Sequence, residues 1–250
     1  QMMDEINTTG PKTFLITGTG DGSIGEALIK QLLTTGSTII TTTSRVQKKS
    51  YDRYARLYQE YCSPHSRLIV IPANLSSNQD TKNTMDYISK TYTLDYIIPF
   101  VAMGQYGDLS NLSSQNELCF RLMTTQVLRM IGYYKEHKKV HRSNITTILL
   151  PLSPNIGIFG NDGLYAESKL ALQSLFYKIR SEKMNDTFNV TGIIIGWTRS
   201  KLMENADHLA KGFENMGVKT FSTHEMATLI RLTTTDHFFD LNCLDPICVD

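Results

Sequence analysis

The sequence from residue 13 to residue 25 reads Thr13-Phe-Leu-Ile-Thr-Gly-Thr-Gly-Asp-Gly-Ser-Ile-Gly25. Its first five residues are mostly apolar or β-branched and predict a short buried strand. A glycine-rich turn follows, and beyond it the apolar residues recur with helical spacing until Gly36 ends the helix. A strand that leads through a tight glycine turn into a helix is typical of the first unit of an α/β fold with a parallel sheet.

The same alternation of strand and helix continues along the chain. Further strands are predicted at 37–43, 67–71, 96–101, 145–150 and 190–195, and helices between them include 116–137 and 165–181. Pro99 leaves the limits of the fourth strand open, because proline donates no hydrogen bond to a sheet. No linker or internal repeat divides the chain. We therefore expect a single Rossmann-type domain over residues 1–250, with a doubly wound parallel sheet.

Composition excludes several classes of function. The chain has 250 residues, a net charge of +1 and 41% hydrophobic residues, so its charge gives no argument for nucleic acid or a membrane surface. Its four cysteines form no Cys-x-x-Cys pair, and no zinc-ligand spacing occurs. No apolar run approaches the roughly 18 residues of a membrane helix. We expect a cytoplasmic protein that binds no metal, nucleic acid or membrane.

The glycine-rich turn is a candidate phosphate site. Its glycines would allow the backbone to approach a pyrophosphate, and the following helix would present unpaired N–H groups to the same anion. A glycine turn alone is weak evidence, but its position after the first strand favours a dinucleotide. The turn lacks the Gly-Lys-Ser/Thr ending of nucleotide hydrolases. The expected cofactor contacts here are Gly18, Gly20, Gly22, Ser23, Ile24 and Gly25.

The end of the second strand indicates which dinucleotide binds. An acidic residue there would bind the ribose hydroxyls of NAD, whereas this chain has Ser44 and Arg45. A guanidinium pairs well with a phosphate, so we expect NADPH. The alternative is that Arg45 is simply a solvated residue at a strand end.

Tyr165 and Lys169 lie four residues apart on a predicted helix, with Ser153 twelve residues before Tyr165. A nearby cation lowers the pKa of a phenol towards the working range, so this pair suits proton transfer to a carbonyl oxygen. Ser153 would polarise the same oxygen. The spacing is not specific, because Tyr134 and Lys138 form a second match. Ser153 and the glycine turn favour the first pair as the catalytic one.

Together these motifs resemble the short-chain dehydrogenase/reductase superfamily, and more narrowly the β-ketoacyl reductase domain of fungal and bacterial type I fatty acid synthases. The resemblance covers roughly residues 12–232. Besides the glycine turn and Thr42-Thr-Ser-Arg45, it rests on Leu150-Pro-Leu-Ser-Pro-Asn155, Phe159-Gly-Asn-Asp-Gly-Leu-Tyr-Ala-Glu-Ser-Lys169, Ile194-Ile-Gly-Trp-Thr-Arg199 and Met216-Gly-Val-Lys-Thr-Phe-Ser222.

The resemblance implies NADPH-dependent reduction of 3-oxoacyl thioesters carried by an acyl carrier protein, with other fatty acid synthase domains as partners. It implies that Tyr165 and Lys169 also contact the cofactor, as do Asn74 and Thr198. Homo-oligomers are common in the superfamily. The last residues resemble a final strand that precedes a Gly-Gly, which favours a domain excised from a longer polypeptide.

Several positions depart from the family pattern. Ala102-Met-Gly104 stands where Asn-Ala-Gly is usual, and Ile195-Gly196 where Pro-Gly is usual. Asn74 takes the place of an Asp that contacts adenine, and Gln126 that of a catalytic Asn in the proton relay.

Two rival functions remain open. An enoyl-thioester reductase shares the phosphate turn, but it would have its lysine seven residues after the tyrosine, where this chain has Leu172. A catalytically silent NADPH-binding module with a structural role would fit the change at Gln126.

Two surface segments have competing interpretations. Residues 198–219 follow a strand end and are expected to form a substrate lid, or else an ordinary connection. The basic stretch 135–142 would suit an acidic carrier protein, although such a run is more often a solvated helix end.

Overall fold

The fold is that of a computed structural model. The structure describes residues 10–138, 145–202, 207–244 and 247–249. Seven parallel strands form the main sheet in the order β3-β2-β1-β4-β5-β6-β9, and two short parallel strands, β7 and β8, form a second sheet. The strands are β1 (Thr13–Thr17), β2 (Thr38–Thr43), β3 (Arg67–Pro72), β4 (Tyr96–Pro99), β5 (Thr146–Leu152), β6 (Phe188–Ile194), β7 (Thr198–Arg199), β8 (Phe221–Ser222) and β9 (Ile247–Val249).

Helices connect the strands. They are α1 (Ile24–Leu33), α2 (Lys48–Tyr61), α3 (Asn78–Thr91), α4 (Ser114–Phe120), α5 (Gln126–His137), α6 (Tyr165–Leu172), α7 (Leu175–Ser181), α8 (Asp207–Asn215), α9 (Thr223–Leu232) and α10 (Asp236–Leu244). A π-helical segment, Arg121–Thr125, joins α4 to α5. The predicted Rossmann-type fold with a doubly wound parallel sheet is confirmed.

The sheet is covered on both faces because its strand residues alternate between two apolar clusters. Leu15 and Ile97 point into a cluster with α3, α5, α6 and α7. Phe14, Ile16 and Ile98 point into the other cluster, with α1, α2 and α9. Two buried faces explain why these strands are apolar at nearly every position, since helices pack on both sides of a parallel sheet.

The strand order reverses between β1 and β4, which lie next to each other at the centre of the sheet. The connection from β1 leads to one side and that from β4 to the other, so the loops after these two strands diverge. This divergence opens a crevice at the carboxyl ends of the strands, where ligands bind in α/β folds.

Most predicted elements shift by one or two residues at their ends, and three of them show the differences that matter for the site. Strand β4 ends at Pro99 rather than residue 101, and its pairing with β5 involves only Tyr96 and Ile97. The predicted helix 116–137 begins at Ser114 and is interrupted by the π-helical segment. The predicted helix 165–181 is divided into α6 and α7 at residues 173–174. None of the described helices is long and apolar enough to span a membrane.

Candidate active site

The glycine-rich turn lies between β1 and α1, directly beside the start of the loop that follows β4. A Cβ atom on Gly18 would clash with the carbonyl carbon and oxygen of Phe100, and Gly18 has a φ of +72°. A Cβ atom on Gly25 would lie 2.8 Å from the carbonyl oxygen of Gly18. Only glycine fits at these two positions, so the turn is tightly packed against the backbone of the neighbouring loop.

The N-terminus of α1 is capped within the same turn. The Ser23 hydroxyl accepts a hydrogen bond from the Glu26 N–H at 3.0 Å, and Ile24 is the first helical residue. The Gly20 carbonyl accepts from the Ser23 N–H at 3.1 Å. The cap fixes the direction of the first helical turn, whose N–H groups carry the positive end of the helix dipole.

Two residues of α2, Arg53 and Tyr54, support the turn, and neither was among the residues predicted from the sequence. The Thr19 hydroxyl lies 2.6 Å from the Thr41 hydroxyl and 2.9 Å from the Tyr54 hydroxyl. Arg53 donates to the Thr19 carbonyl at 2.9 Å and forms an ion pair with Glu26. These contacts join residues more than 20 positions apart, and no local motif signals them. They hold the turn against the end of β2.

The residues expected to recognise the adenosine part lie at the carboxyl ends of β2 and β3. Ser44 and Arg45 are exposed directly after β2, and the Arg45 N–H donates to the Thr43 hydroxyl at 3.2 Å. Asn74 is exposed after β3, where its side-chain oxygen accepts from the N–H and the hydroxyl of Ser76. The side-chain oxygen of Asn74 therefore stabilises its own loop, whereas the Arg45 guanidinium is exposed to solvent.

Ser153, Tyr165 and Lys169 come together at the end of β5 and the start of α6. The Ser153 side chain lies beside the Tyr165 phenol, and the Lys169 Nζ lies 5.6 Å from the centre of the Tyr165 ring. Tyr165 and Lys169 lie on one face because they are one helical turn apart. The structure thus brings together the three side chains that the sequence predicted.

The electrostatics of this group differ from the prediction. Burial raises the pKa of Tyr165; the Ser153 hydrogen bond acts in the opposite direction, and the Asp162 carboxylate adds to the rise. The sequence predicted a lowered pKa because of Lys169, but burial lowers the pKa of Lys169 itself to about 8. Desolvation is the largest cause of both shifts, and a raised pKa leaves Tyr165 a protonated phenol at neutral pH.

Two loops form a platform beside Tyr165. The Gly163 N–H donates to the Gly107 carbonyl at 2.9 Å, and the Leu164 N–H donates to the Gln105 side-chain oxygen at 2.9 Å. The loop after β5 carries three exposed apolar side chains, Ile156, Ile158 and Phe159. The Phe159 ring packs edge-on against Trp197, with ring centres 6.3 Å apart. An exposed apolar platform next to a polar group suits a substrate with an apolar chain.

The π-helical segment before Gln126 is another feature that sequence analysis missed. Thr124 in this segment donates to the Ser168 carbonyl at 3.0 Å and so joins it to α6. The Gln126 side-chain N–H donates to the Ser76 carbonyl at 3.1 Å, and its buried oxygen has no hydrogen-bond partner among the described residues. Gln126 thus contacts the loop after β3. π-helical turns occur often at functional sites.

The expected lid, residues 198–219, is only partly described, because 203–206 lie outside the described residues. The Thr198 side chain is buried, and its hydroxyl donates to the Gly196 carbonyl at 3.0 Å. Thr198 pairs with Phe221 in the small sheet, which ties both ends of the segment together.

The second half of the basic stretch 135–142 lies outside the described residues, which stop at 138 and resume at 145. The Lys138 side chain points inwards and donates to the Thr146 hydroxyl at 2.7 Å. Lys138 is therefore not available to a carrier protein. The described residues hold no cluster of side chains able to bind a metal ion.

The chain is similar to several known proteins. It is 39% identical over 248 residues to the fatty acid synthase subunit alpha of Penicillium patulum, 41% over 227 residues to that of Lachancea kluyveri, and 39% over 250 residues to that of Saccharomyces cerevisiae. These matches cover 96%, 86% and 96% of the chain, but the chain spans only 13%, 12% and 13% of those relatives.

Among solved structures, it resembles a short-chain dehydrogenase of Burkholderia cenocepacia in complex with NADP, with a TM-score of 0.77, 18% identity and coverage of 98% of each chain. It also resembles a short-chain dehydrogenase of Sphingobium yanoikuyae in complex with NADPH, with a TM-score of 0.71, 17% identity and coverage of 94% and 86%. The short-chain dehydrogenase family profile matches residues 12–210. The chain therefore belongs to the short-chain dehydrogenase family.

Proposed function

We propose that the protein reduces 3-oxoacyl thioesters to 3-hydroxyacyl thioesters with NADPH. The observation that carries this proposal is the grouping of Ser153, Tyr165 and buried Lys169, at the edge of the sheet where the glycine turn lies. Membership of an oxidoreductase family agrees with a redox reaction at this group.

Tyr165 would be the acid that completes the reduction. NADPH, when bound, supplies a hydride to the carbonyl carbon. The raised pKa of Tyr165 keeps its phenol protonated at neutral pH, so it can donate the proton that turns the carbonyl oxygen into a hydroxyl. Ser153 would hold that oxygen by a hydrogen bond. The ammonium of Lys169 would stabilise the phenolate left behind.

The residues of the turn fit a dinucleotide. A Cβ atom at Gly18 or Gly25 would meet the protein's own backbone, so glycine keeps the turn tight, and the α1 N-terminus after it can receive a diphosphate. Gly20, Gly22, Ser23 and Ile24 complete this set. Exposed Ser44 and Arg45 would bind the 2′-phosphate, which favours NADPH over NADH. Tyr165 and Lys169 would hold the nicotinamide ribose, and Asn74 and Thr198 would contribute further contacts through their loops.

The apolar platform and the relatives together favour an acyl thioester as the substrate. Ile156, Ile158 and Phe159 offer exposed apolar surface for an acyl chain next to Ser153. The curated relatives are fatty acid synthase alpha subunits, and an acyl group carried as a thioester on an acyl carrier protein is the substrate that we propose for this chain. Carrier protein, other synthase domains and a second copy of this chain are the partners we propose, with residues 198–219 as the substrate lid.

The rival functions have less support. An enoyl reductase would need a lysine at the position of Leu172, which is fully buried in the apolar core. A catalytically silent NADPH-binding module would need no proton donor. In this protein, however, Ser153, Tyr165 and Lys169 lie together.

The test is a substrate and cofactor panel. The purified chain is mixed with a 3-oxoacyl thioester or the matching enoyl thioester, and the absorbance of NADPH or NADH is followed. We expect oxidation of NADPH with the 3-oxo substrate alone. Arg45→Ala should raise the KM for NADPH by about tenfold and leave that for NADH unchanged, because only NADPH carries the 2′-phosphate.

Other outcomes would redirect the assignment. Turnover of the enoyl substrate alone would favour the enoyl reductase. Binding of NADPH without turnover of either thioester would favour the silent module.

A further inference from the structure

An acidic residue lies inside the proposed anion site. Asp21 stands between two glycines of the turn, and its carboxylate would repel a diphosphate bound there. Its partner is Lys201, whose Nζ lies 3.1 Å from the Asp21 carboxylate oxygen. Both side chains are largely exposed, at 67% for Asp21 and 59% for Lys201. Such an exposed ion pair is weak and is readily exchanged for a more highly charged partner.

Lys201 is held over the turn by its backbone as well. Its N–H donates to the Gly22 carbonyl at 3.2 Å. A Cβ atom on Gly22 would lie 3.3 Å from the Lys201 Cβ, and Gly22 has a φ of +69°. The main chain of Lys201 therefore stays close to the turn whichever anion its ammonium contacts.

The other charges next to the turn are bound in place. Glu26, in the first turn of α1, forms ion pairs with Arg53 and with Lys30. Arg53 is further held by the Thr19 carbonyl. Compared with these half-buried groups, the Lys201 ammonium is free to move on an exposed side chain. The turn thus has a structural ion-pair group behind it and an exchangeable pair, Asp21 and Lys201, on its surface.

We propose that Lys201 is a cofactor-binding residue, whose ammonium leaves Asp21 to pair with the diphosphate of the dinucleotide. Asp21 then acts as a competitor that lowers cofactor affinity and favours release after turnover. This assignment rests on the proposed function, because it requires that a dinucleotide bind at the turn. It adds to that function a source of affinity outside the glycine turn and a residue that opposes it.

The experiment measures the dissociation constants of NADPH and NADH without any turnover. Trp197 is the only tryptophan of the chain, so energy transfer from its emission to the reduced nicotinamide reports binding. The variants are Lys201→Met, Asp21→Asn and the double variant. Lys90→Met is the control, because it removes the same charge from the exposed C-terminal turn of α3, at the opposite edge of the sheet. Thermal unfolding midpoints confirm that every variant is folded.

We expect Lys201→Met to weaken NADPH and NADH equally, by about tenfold, since both carry the diphosphate. Asp21→Asn should tighten both by about threefold, because it removes a competitor. In the double variant the gain from Asp21→Asn should be larger than in the wild type, since Asp21 without Lys201 repels the cofactor unopposed. Lys90→Met should change nothing.

Four results would overturn the assignment. Unchanged affinities in Lys201→Met would remove Lys201 from the site while leaving the proposed function intact. A loss for NADPH alone would assign Lys201 to the 2′-phosphate instead. Weaker binding in Asp21→Asn would show that Asp21 positions Lys201 rather than competing for it. If the wild type bound neither dinucleotide, the proposed function would fall together with this assignment.

Discussion

Two tyrosine–lysine pairs with the same spacing lie at opposite edges of the sheet. Tyr165 and Lys169 follow the carboxyl end of β5, whereas Tyr134 and Lys138 end α5, next to the start of β5. In both pairs burial raises the pKa of the tyrosine and lowers that of the lysine to about 8. Neither the motif nor the shifted pKa values can therefore tell the two pairs apart.

The hydrogen bonds separate the two pairs. The Tyr134 hydroxyl accepts from the Leu94 N–H at 2.8 Å, and the Lys138 Nζ donates to the Thr146 hydroxyl and to the Thr187 carbonyl. These hydrogen bonds connect the end of α5 to β5 and to the start of β6. At the other pair, Tyr165 lies beside Ser153, and among the described residues none accepts a hydrogen bond from Lys169. A group that has a shifted pKa, lies next to a crevice and can still form hydrogen bonds with a ligand is the better candidate for a catalytic role.

Removal of each phenol in turn is the strongest test of the difference between the two pairs. Tyr165→Phe should lower kcat for the 3-oxoacyl thioester by about a thousandfold, because the proton donor is lost. Tyr134→Phe should leave kcat unchanged and lower the free energy of unfolding by about 2 kcal/mol, since the buried Leu94 N–H loses its acceptor. Steady-state kinetics and urea unfolding of both variants measure this. A large loss of kcat in Tyr134→Phe would show that the pairs are not functionally distinct.

The pH dependence of turnover gives a second, smaller contrast. The pKa of Lys169 is about 8, so its ammonium loses its proton as the pH rises through that value. If the ammonium stabilises the phenolate, kcat should fall about tenfold between pH 7 and pH 9. Lys138→Met should show the same fall, although Lys138 has a similar pKa. Lys169→Arg should flatten it, because arginine stays charged. A profile that is flat in the wild type would contradict this role.

The sequence predicts the fold well because each strand is a local apolar run, and both limits of β1 agree with the prediction. It also predicts that Ser153, Tyr165 and Lys169 meet, since a loop and one helical turn connect them. It cannot predict contacts between distant residues, such as Arg53 with Thr19 or Lys201 with Asp21.

The inward direction of Lys138 and the raised pKa of Tyr165 are further limits of sequence analysis. Both depend on how deeply a side chain is buried, and burial is a property of the whole fold. The sequence contains the charges but not their exposure to water, and desolvation outweighs the expected effect of charge in both cases.

The Tyr134–Lys138 pair should make the free energy of unfolding of the protein depend on pH. Between pH 8 and the ordinary lysine pKa of 10.5, folded Lys138 loses its proton while the unfolded chain keeps it, so the free energy of unfolding rises with pH in this window. Lys138→Met should remove the part of that rise due to Lys138 and leave the part due to Lys169, whose pKa is also about 8. Because Lys138 is partly exposed, screening by solvent reduces the effect to about 1 kcal/mol. Urea unfolding at pH 7.5 and 9.5 measures it; an equal rise in both proteins would leave Lys169 as its source.

The smallest expected effect is that of an alanine at Gly132, near Tyr134, and the same change at Gly18 in the glycine turn provides the contrast. Gly132 lies within α5, and no atom lies within 4 Å of the place that an alanine methyl group would take. Gly132→Ala should therefore raise the free energy of unfolding by about 0.5–1 kcal/mol through helix propensity alone. The same change at Gly18 adds a methyl group that meets the Phe100 backbone, so it should destabilise the protein and abolish NADPH binding. Thermal unfolding and the Trp197 titration compare the two variants. Tolerance of alanine at Gly18 would mean that the turn can relax, and the contrast between a packed ligand site and a plain helix would be lost.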